Sequence, residues 1–441
     1  MVLRIRSGTR SFSLISLALL GLGACASATQ PLASRHNAAG QTQLEAPAPS
    51  ISPERIKRVG TMLQNYVDRG LIAGAVVDIR QNGRDVYSEA FGWRDKEAGA
   101  VMKEDDIFRI ASQTKALTSV AIMMLMEEGK LLLDDPLGKH LPEWSKTTVA
   151  VPKSEGGYDV APAKRAITIR DLLTHTAGIS YGTGPAQKEW AAAGIQGWYF
   201  ADRNEPVSAI VARMASLPMA AQPGEQFVYG YNTDILGVVV EKLSGQTLEA
   251  FLNDRLIRPL GMKDTHFYLP REKANRLSVV YSAGPSGVTR AADPGEWRVT
   301  GHIGQGHYLN GPRIAFSGGA GLLSTTADYS RFLEMLRRGG EMDGQRYLSR
   351  KSVELMTVNH LGNIPYPAGT GFGLGFRIRT DLGDNGLPGS EGEFSWGGAY
   401  HSQYWVDPKE NLTVVYLIQL IPAGTVDDVG KLRALIYQAL N

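Results

Sequence analysis

The sequence predicts an α+β fold. One antiparallel sheet is assembled from both ends of the chain and flanked by helices, and a mainly helical subdomain is inserted between its halves. Three observations carry that expectation. Strand-like segments occupy residues 73–91 and return at 372–420, helical spacing dominates the middle, and an amphipathic helix closes the chain. The 441 residues are 43% hydrophobic and 20% charged, which leaves ample apolar material for a large core.

The first 25 residues read as a leader. Arg4, Arg6 and Arg10 precede an apolar run from Phe12 to Gly23, and small residues follow. The run is shorter than the roughly 20 residues needed to span a bilayer. The only cysteine, Cys25, ends Leu22-Gly-Ala-Cys25, the pattern of a lipobox whose cysteine is lipidated. Plain cleavage among Ala24, Ala26 and Ala28 is the alternative. Either route predicts export across the inner membrane, to the periplasm or to an envelope anchor. Residues 26–50, rich in Ala, Ser, Gln and Pro, read as a disordered tether. The formal charge of +2 becomes −1 without the leader, with 43 basic against 44 acidic side chains, so nothing points to nucleic acid. With a single cysteine, no internal disulfide supports the fold.

The remaining residues, 51–441, read as one domain, with an α/β part at about 51–108 and 317–441 and a helical insertion at about 109–316. Ser52-Pro53 is a helix start, followed by Ile56, Val59, Leu63, Tyr66 and Val67 at helical spacing. Ala73 to Arg80 and Asp85 to Phe91 are strands turned at Asn82-Gly83. Ser112 to about Pro270 is mostly helical, including Ile169 to His175 and Asp234 to Leu243, the latter ended by Gly245. Ser282 to Gly319, crowded with Gly and Pro, is expected to be a long loop covering a site. Phe372 to Arg379, Phe394 to Val406 and Leu412 to Leu420 are strands, and Asp427 to Leu440 is the closing helix.

The chemistry concentrates in Phe108-Arg-Ile-Ala-Ser-Gln-Thr-Lys115, at the mouth of the apolar helix that continues through Ala121-Ile-Met-Met-Leu-Met126. Positions i and i+3 share a helix face, so Lys115 reaches the hydroxyl of Ser112. A serine needs a base to become a nucleophile. Keeping a lysine neutral at pH 7 costs roughly 4.6 kcal/mol, and burial or a positive field reduces that cost. The N–H of Ser112 at the helix start offers an oxyanion donor.

Several segments, in order, resemble the serine β-lactamase-like superfamily, and within it the carboxylesterase branch related to class C β-lactamases. Besides Ser112-x-x-Lys115, which also opens the β-lactamase and penicillin-binding signatures, they are Gly129-Lys-Leu-Leu-Leu-Asp-Asp-Pro136, Asp171-Leu-Leu-Thr-His-Thr-Ala-Gly178, Pro223-Gly-Glu-Gln-Phe-Val-Tyr229, Gly318-Gly-Ala-Gly-Leu-Leu-Ser-Thr-Thr-Ala-Asp328, and Trp396-Gly-Gly398 before Val406-Asp-Pro408. The resemblance spans about residues 52–440. It implies the β-lactamase/transpeptidase-like fold and a small-molecule ester substrate. The histidines show no metal-ligand spacing, with His302 and His307 in a glycine-rich stretch, and there is no phosphate loop or dinucleotide fingerprint, so no metal and no cofactor are expected. The resemblance also bears on the site residues. It assigns the family's tyrosine to Tyr229, counted back from Asp234-Ile-Leu-Gly237, with Tyr231 as the alternative. The backbone N–H of Ala399 matches the second oxyanion donor. Trp396, Gly397 and Gly398 stand where β-lactamases carry Lys-Thr-Gly. Loss of that lysine favours neutral esters over carboxylate-bearing antibiotics.

The expected activity is therefore carboxylic ester hydrolysis, on short-chain or aryl esters, through an acyl-enzyme on Ser112. Lys115 and Tyr229 share the proton. The alternatives are a β-lactamase or D,D-peptidase, an acyltransferase, or an inactive binding protein of the same fold. Gly178-Ile-Ser-Tyr-Gly182 matches the Gly-x-Ser-x-Gly nucleophile motif, but that motif needs a strand before it and a helix after it. A helix precedes Ser180 and Gly-Thr-Gly-Pro follows, so Ser180 is set aside, and His175 is read as a capping or core residue.

Overall fold

The computed structural model describes residues 50–298 and 301–441. The leader, Cys25 and the tether through residue 49 lie outside the described residues. The fold centres on an eight-stranded antiparallel sheet made of β1 (Gly74–Gln81), β2 (Arg84–Asp95), β3 (Ala100–Val101), β4 (Thr370–Phe372), β5 (Arg377–Arg379), β6 (Phe394–Gly397), β7 (Gln403–Asp407) and β8 (Leu412–Ile418). Their order is β4-β5-β6-β7-β8-β1-β2-β3, so strands from the two ends of the chain pair at the middle of the sheet. There Val77 faces Tyr416. The α+β class and the sheet built from both termini are as expected.

Alternation along the central strands gives the sheet two buried faces. Ala75, Val77 and Ile79 point with Tyr416 and Trp405 into a core closed by α1 (Lys57–Asp68) and the last helix. Val76, Val415 and Leu417 point the other way, into a larger core around α2 (Thr114–Glu127). Twelve of the fourteen residues of α2 are buried. A helix that is apolar all round belongs inside the protein, which is where the Met-rich run sits.

Several boundaries differ from the sequence reading. Phe372 to Arg379 is a hairpin: Gly373 donates to Phe376 O at 2.7 Å, and Phe372 pairs with Arg377. Phe394 to Val406 is two strands, because the chain reverses at Gly398 to Ser402, where Gly398 N–H donates to Ser402 O at 2.8 Å. In both places apolar residues continue through glycines that turn the backbone. The middle of the chain carries a hairpin, Thr148–Pro152 with Tyr158–Pro162. The expected loop from Ser282 to Gly319 contains short hairpins, Tyr281–Gly284 with Gly287–Arg290, and Glu296–Arg298 with Gly301–Ile303. The first helix becomes regular at Lys57, while Ser52 Oγ accepts from Arg55 N–H at 3.3 Å. Asn82 and Gly83 have φ of 54° and 75°, the paired positive values of a type I′ hairpin.

Candidate active site

Ser112 lies in a 3-10 turn, Ala111–Gln113, that runs directly into α2. Ala111 takes φ 42°, a sparsely populated conformation for a residue with a Cβ. The end of β6 closes on this turn: a Cβ on Gly398 would meet Ile110 O at 2.5 Å. Only glycine lets the two backbones approach so closely, and this brings Ala399 beside the serine turn.

Lys115, the second residue of α2 and one turn beyond Ser112, is 2% exposed. Its Nζ stands 2.8 Å from Gly319 O, 2.9 Å from the Tyr181 hydroxyl and 3.4 Å from Ser112 Oγ. Three acceptors match the three N–H donors of an ammonium. Nζ also sits 4.7 Å from the centre of the Tyr229 ring. Asp234 stabilises the turn that presents Gly319. It is 1% exposed, and its Oδ1 accepts from Ser317 Oγ at 2.5 Å and Gly319 N–H at 3.0 Å. Burial pushes this carboxyl up, and the nearby Lys115 charge opposes the push.

Tyr229 and Tyr231 separate clearly. Tyr231 is fully buried, stacks on Trp190 and donates to Gly197 O at 2.7 Å. Tyr229 lines the open pocket and accepts from the Trp396 indole N–H at 3.0 Å. Gly230 between them runs against Ile179 and Ser180, where a Cβ would meet Ile179 O at 2.2 Å. This close crossing sets Tyr229 and Tyr181 edge to face, with ring centres 5.7 Å apart. His175 is buried beneath Tyr229, with ring centres 4.7 Å apart, and its Nδ1 accepts from Asn232 Nδ2 at 2.9 Å. Burial, with the Lys115 charge adding, holds its pKa well below the usual histidine value, so it is a neutral core residue.

Ser112, Tyr229, Trp396, Gly397, Gly398 and Ala399, all singled out in the sequence, line one open pocket of about 420 Å³, with Lys115 at its base. Tyr181, Trp198, Arg377 and Gln403 complete the lining and were missed. For Tyr181 the signal was within the Gly-x-Ser-x-Gly match, one residue from the serine that drew notice. Burial, with Tyr229 and Asp234 adding, pushes the Tyr181 phenol well above its usual range, so it meets Lys115 as a neutral hydroxyl. Ser180 itself closes a turn: its Oγ donates to Thr183 O at 2.7 Å and accepts from Thr183 N–H at 3.1 Å. Among the described residues, no group of three or more His, Cys, Asp or Glu is placed to hold a metal ion. No helix among them is long and apolar enough to cross a membrane.

The family model described as Beta-lactamase matches residues 59–438. The chain belongs to the Beta-lactamase family. It is a serine hydrolase of that family with esterase relatives. Esterase EstB of Burkholderia gladioli is 30% identical over 368 residues, covering 78% of this chain and 86% of EstB. A lovastatin esterase of Penicillium rubens is 31% identical over 387 residues, covering 82% of this chain and 92% of that enzyme. Among solved structures, EstCE1, described as a hydrolase with promiscuous acyltransferase activity, superposes with a TM-score of 0.74 at 26% identity, covering 87% of this chain and 99% of EstCE1.

Proposed function

We propose that the protein hydrolyses carboxylic esters with short-chain acyl or aryl alcohol groups through an acyl-enzyme on Ser112. The observation that carries this reading is the Lys115 ammonium site, which gathers Ser112, Tyr181 and Tyr229 at the base of one open pocket. Ser112 Oγ attacks the ester carbonyl carbon, and its proton passes to the Lys115–Tyr229 pair, which reacts in the form that has already released one proton to solvent. The N–H groups of Ser112 and Ala399 hold the oxyanion. The bond to the alcohol oxygen then breaks, the proton returns to the leaving alkoxide, and water releases the acid from Ser112. The esterase names of two relatives support the substrate class.

A second reading, transfer of the acyl group to an alcohol in place of water, is favoured by the likeness to EstCE1. Product analysis with and without an added alcohol separates the two. The nucleophile is tested by mass spectrometry after a fluorophosphonate probe. The expected adduct sits on Ser112, and an adduct on Ser180 would overturn the mechanism.

The same proposal extends to location. The arginine-led leader and Leu22-Gly-Ala-Cys25 support an exported lipoprotein anchored in the envelope through Cys25. Cys25→Ser is then expected to move the protein from the membrane fraction to the soluble fraction.

A further inference from the structure

We propose that Arg377 makes the pocket selective for esters that carry a second, free carboxylate, as in the half-esters of dicarboxylic acids. The proposal rests on the ester-hydrolase reading and deepens it. Read from sequence, the pocket loses its cation, because Trp396 stands where β-lactamases carry a lysine. In the folded chain an arginine from a different strand enters the same pocket.

The Arg377 backbone is pinned on both sides, paired to Phe372 on β4 and to Ser395 on β6. Its guanidinium lies 5.1 Å from the centre of the Trp396 ring, and the indole N–H of that ring is bonded to Tyr229. The indole therefore spans from the cation to the proton-transfer group. A guanidinium held over an indole ring by a cation–π contact keeps donors for a carboxylate, in the fork that matches it. Burial raises the pKa of the nearby Tyr366 phenol, and Arg377 pulls it back.

Charge balance points the same way. Among the described residues no acidic side chain pairs with Arg377, and none of the residues lining the pocket is Asp or Glu. The next arginines along this face differ, since Arg379 and Arg433 share the buried Glu393. Gln403 adds an amide donor to the lining. Its amide lies over Gly397, where a Cβ would come within 2.5 Å of Nε2. A cation and an amide with no carboxylate of their own form a site for an anion brought by the substrate. The pocket's volume of about 420 Å³ is enough for an ester of moderate size with its carboxylate.

The test uses a matched pair of 4-nitrophenyl esters: the glutarate half-ester with a free carboxylate, and its neutral methyl ester. The readout is the ratio of kcat/KM, anionic over neutral. Arg377→Gln is expected to lower that ratio by about tenfold to a hundredfold, the loss of one charge-assisted hydrogen bond. The loss should fall mainly in KM. Arg377→Lys is expected to restore part of the ratio, and added salt to compress it in the wild type. An unchanged ratio in Arg377→Gln, or an equal fall for both esters, overturns the proposal. Ser112→Ala serves as the independent arm: if it leaves both hydrolyses intact, the Ser112 acyl-enzyme fails, and if the wild type hydrolyses neither ester, the ester-hydrolase reading itself fails, whatever Arg377 does.

Discussion

Tyr181 gives the sharpest test of how the lysine is held. Replacing it with phenylalanine keeps the ring, and so keeps the edge-to-face contacts with Tyr231 at 5.0 Å and Tyr229 at 5.7 Å. What disappears is the hydroxyl 2.9 Å from Lys115 Nζ. The lysine is left with Gly319 O at 2.8 Å and Ser112 Oγ at 3.4 Å. A hydrogen bond to a charged group contributes about 1.5 to 3 kcal/mol, and a buried N–H without an acceptor costs a similar amount. If that restraint keeps Nζ aimed at Ser112 in the transition state, kcat falls by about tenfold to a hundredfold. KM should move by no more than about threefold, because the hydroxyl does its work behind the serine. Steady-state hydrolysis of 4-nitrophenyl acetate gives kcat and KM, and a thermal melt on the same preparation reports folding. Unchanged kcat with a lowered melting temperature would refute the reasoning and reduce Tyr181 to packing.

Three further outcomes follow from the same geometry. Ser112→Ala should abolish ester hydrolysis, while Ser180→Ala, which opens only the Thr183 turn, should keep most of kcat and lose about 1 kcal/mol of stability in a denaturant titration. Lys115→Ala and Tyr229→Phe should each lower kcat by about 10² to 10⁴, and the double variant should lose far less than the product of the two. Strict additivity would count against a shared proton relay. Burial lowers His302 to about 4, so as pH falls below about 6.5 the unfolded chain takes up the proton before the folded one. Stability contributed by His302 is complete above that pH and falls by about 1.4 kcal/mol per pH unit toward 4. His302→Gln should flatten that part of a stability-versus-pH curve, and an identical slope in the variant would exclude the histidine as its source.

What could be read from the chain was local, and what could not was brought together by the fold. Ser112 and Lys115 are three residues apart, so helical geometry alone joins them. The Asn82-Gly83 turn announced itself because few residue pairs accept two positive φ values. Tyr229 was chosen over Tyr231 by counting from a downstream helix, and the structure gives the pocket to Tyr229 and the core to Tyr231. Tyr181 meets Lys115 across 66 residues, and no periodicity encodes such a contact. Arg377 was read as one more strand residue, because the hairpin that turns Phe372 back on it was not recognised. The long strand from Phe394 to Val406 failed for a related reason: the glycines that suit an edge approached by substrate are also the ones that reverse the chain.

The pairing of β1 with β8 also governs the order of assembly. Residues 75–81 find their partners at 412–418, so the middle of the sheet closes across most of the chain length. Contacts of such long range make folding slow, because loop closure must be met before the contacts reward it. During synthesis, Ser112 and Lys115 emerge early on a local helix, but the Trp396-to-Ala399 wall and the strand that seats it come near the end. A nascent or truncated chain lacking β7 and β8 carries Ser112 without its pocket. Onset of esterase activity should thus report completion of the last strands, and unfinished chains would stay chemically silent.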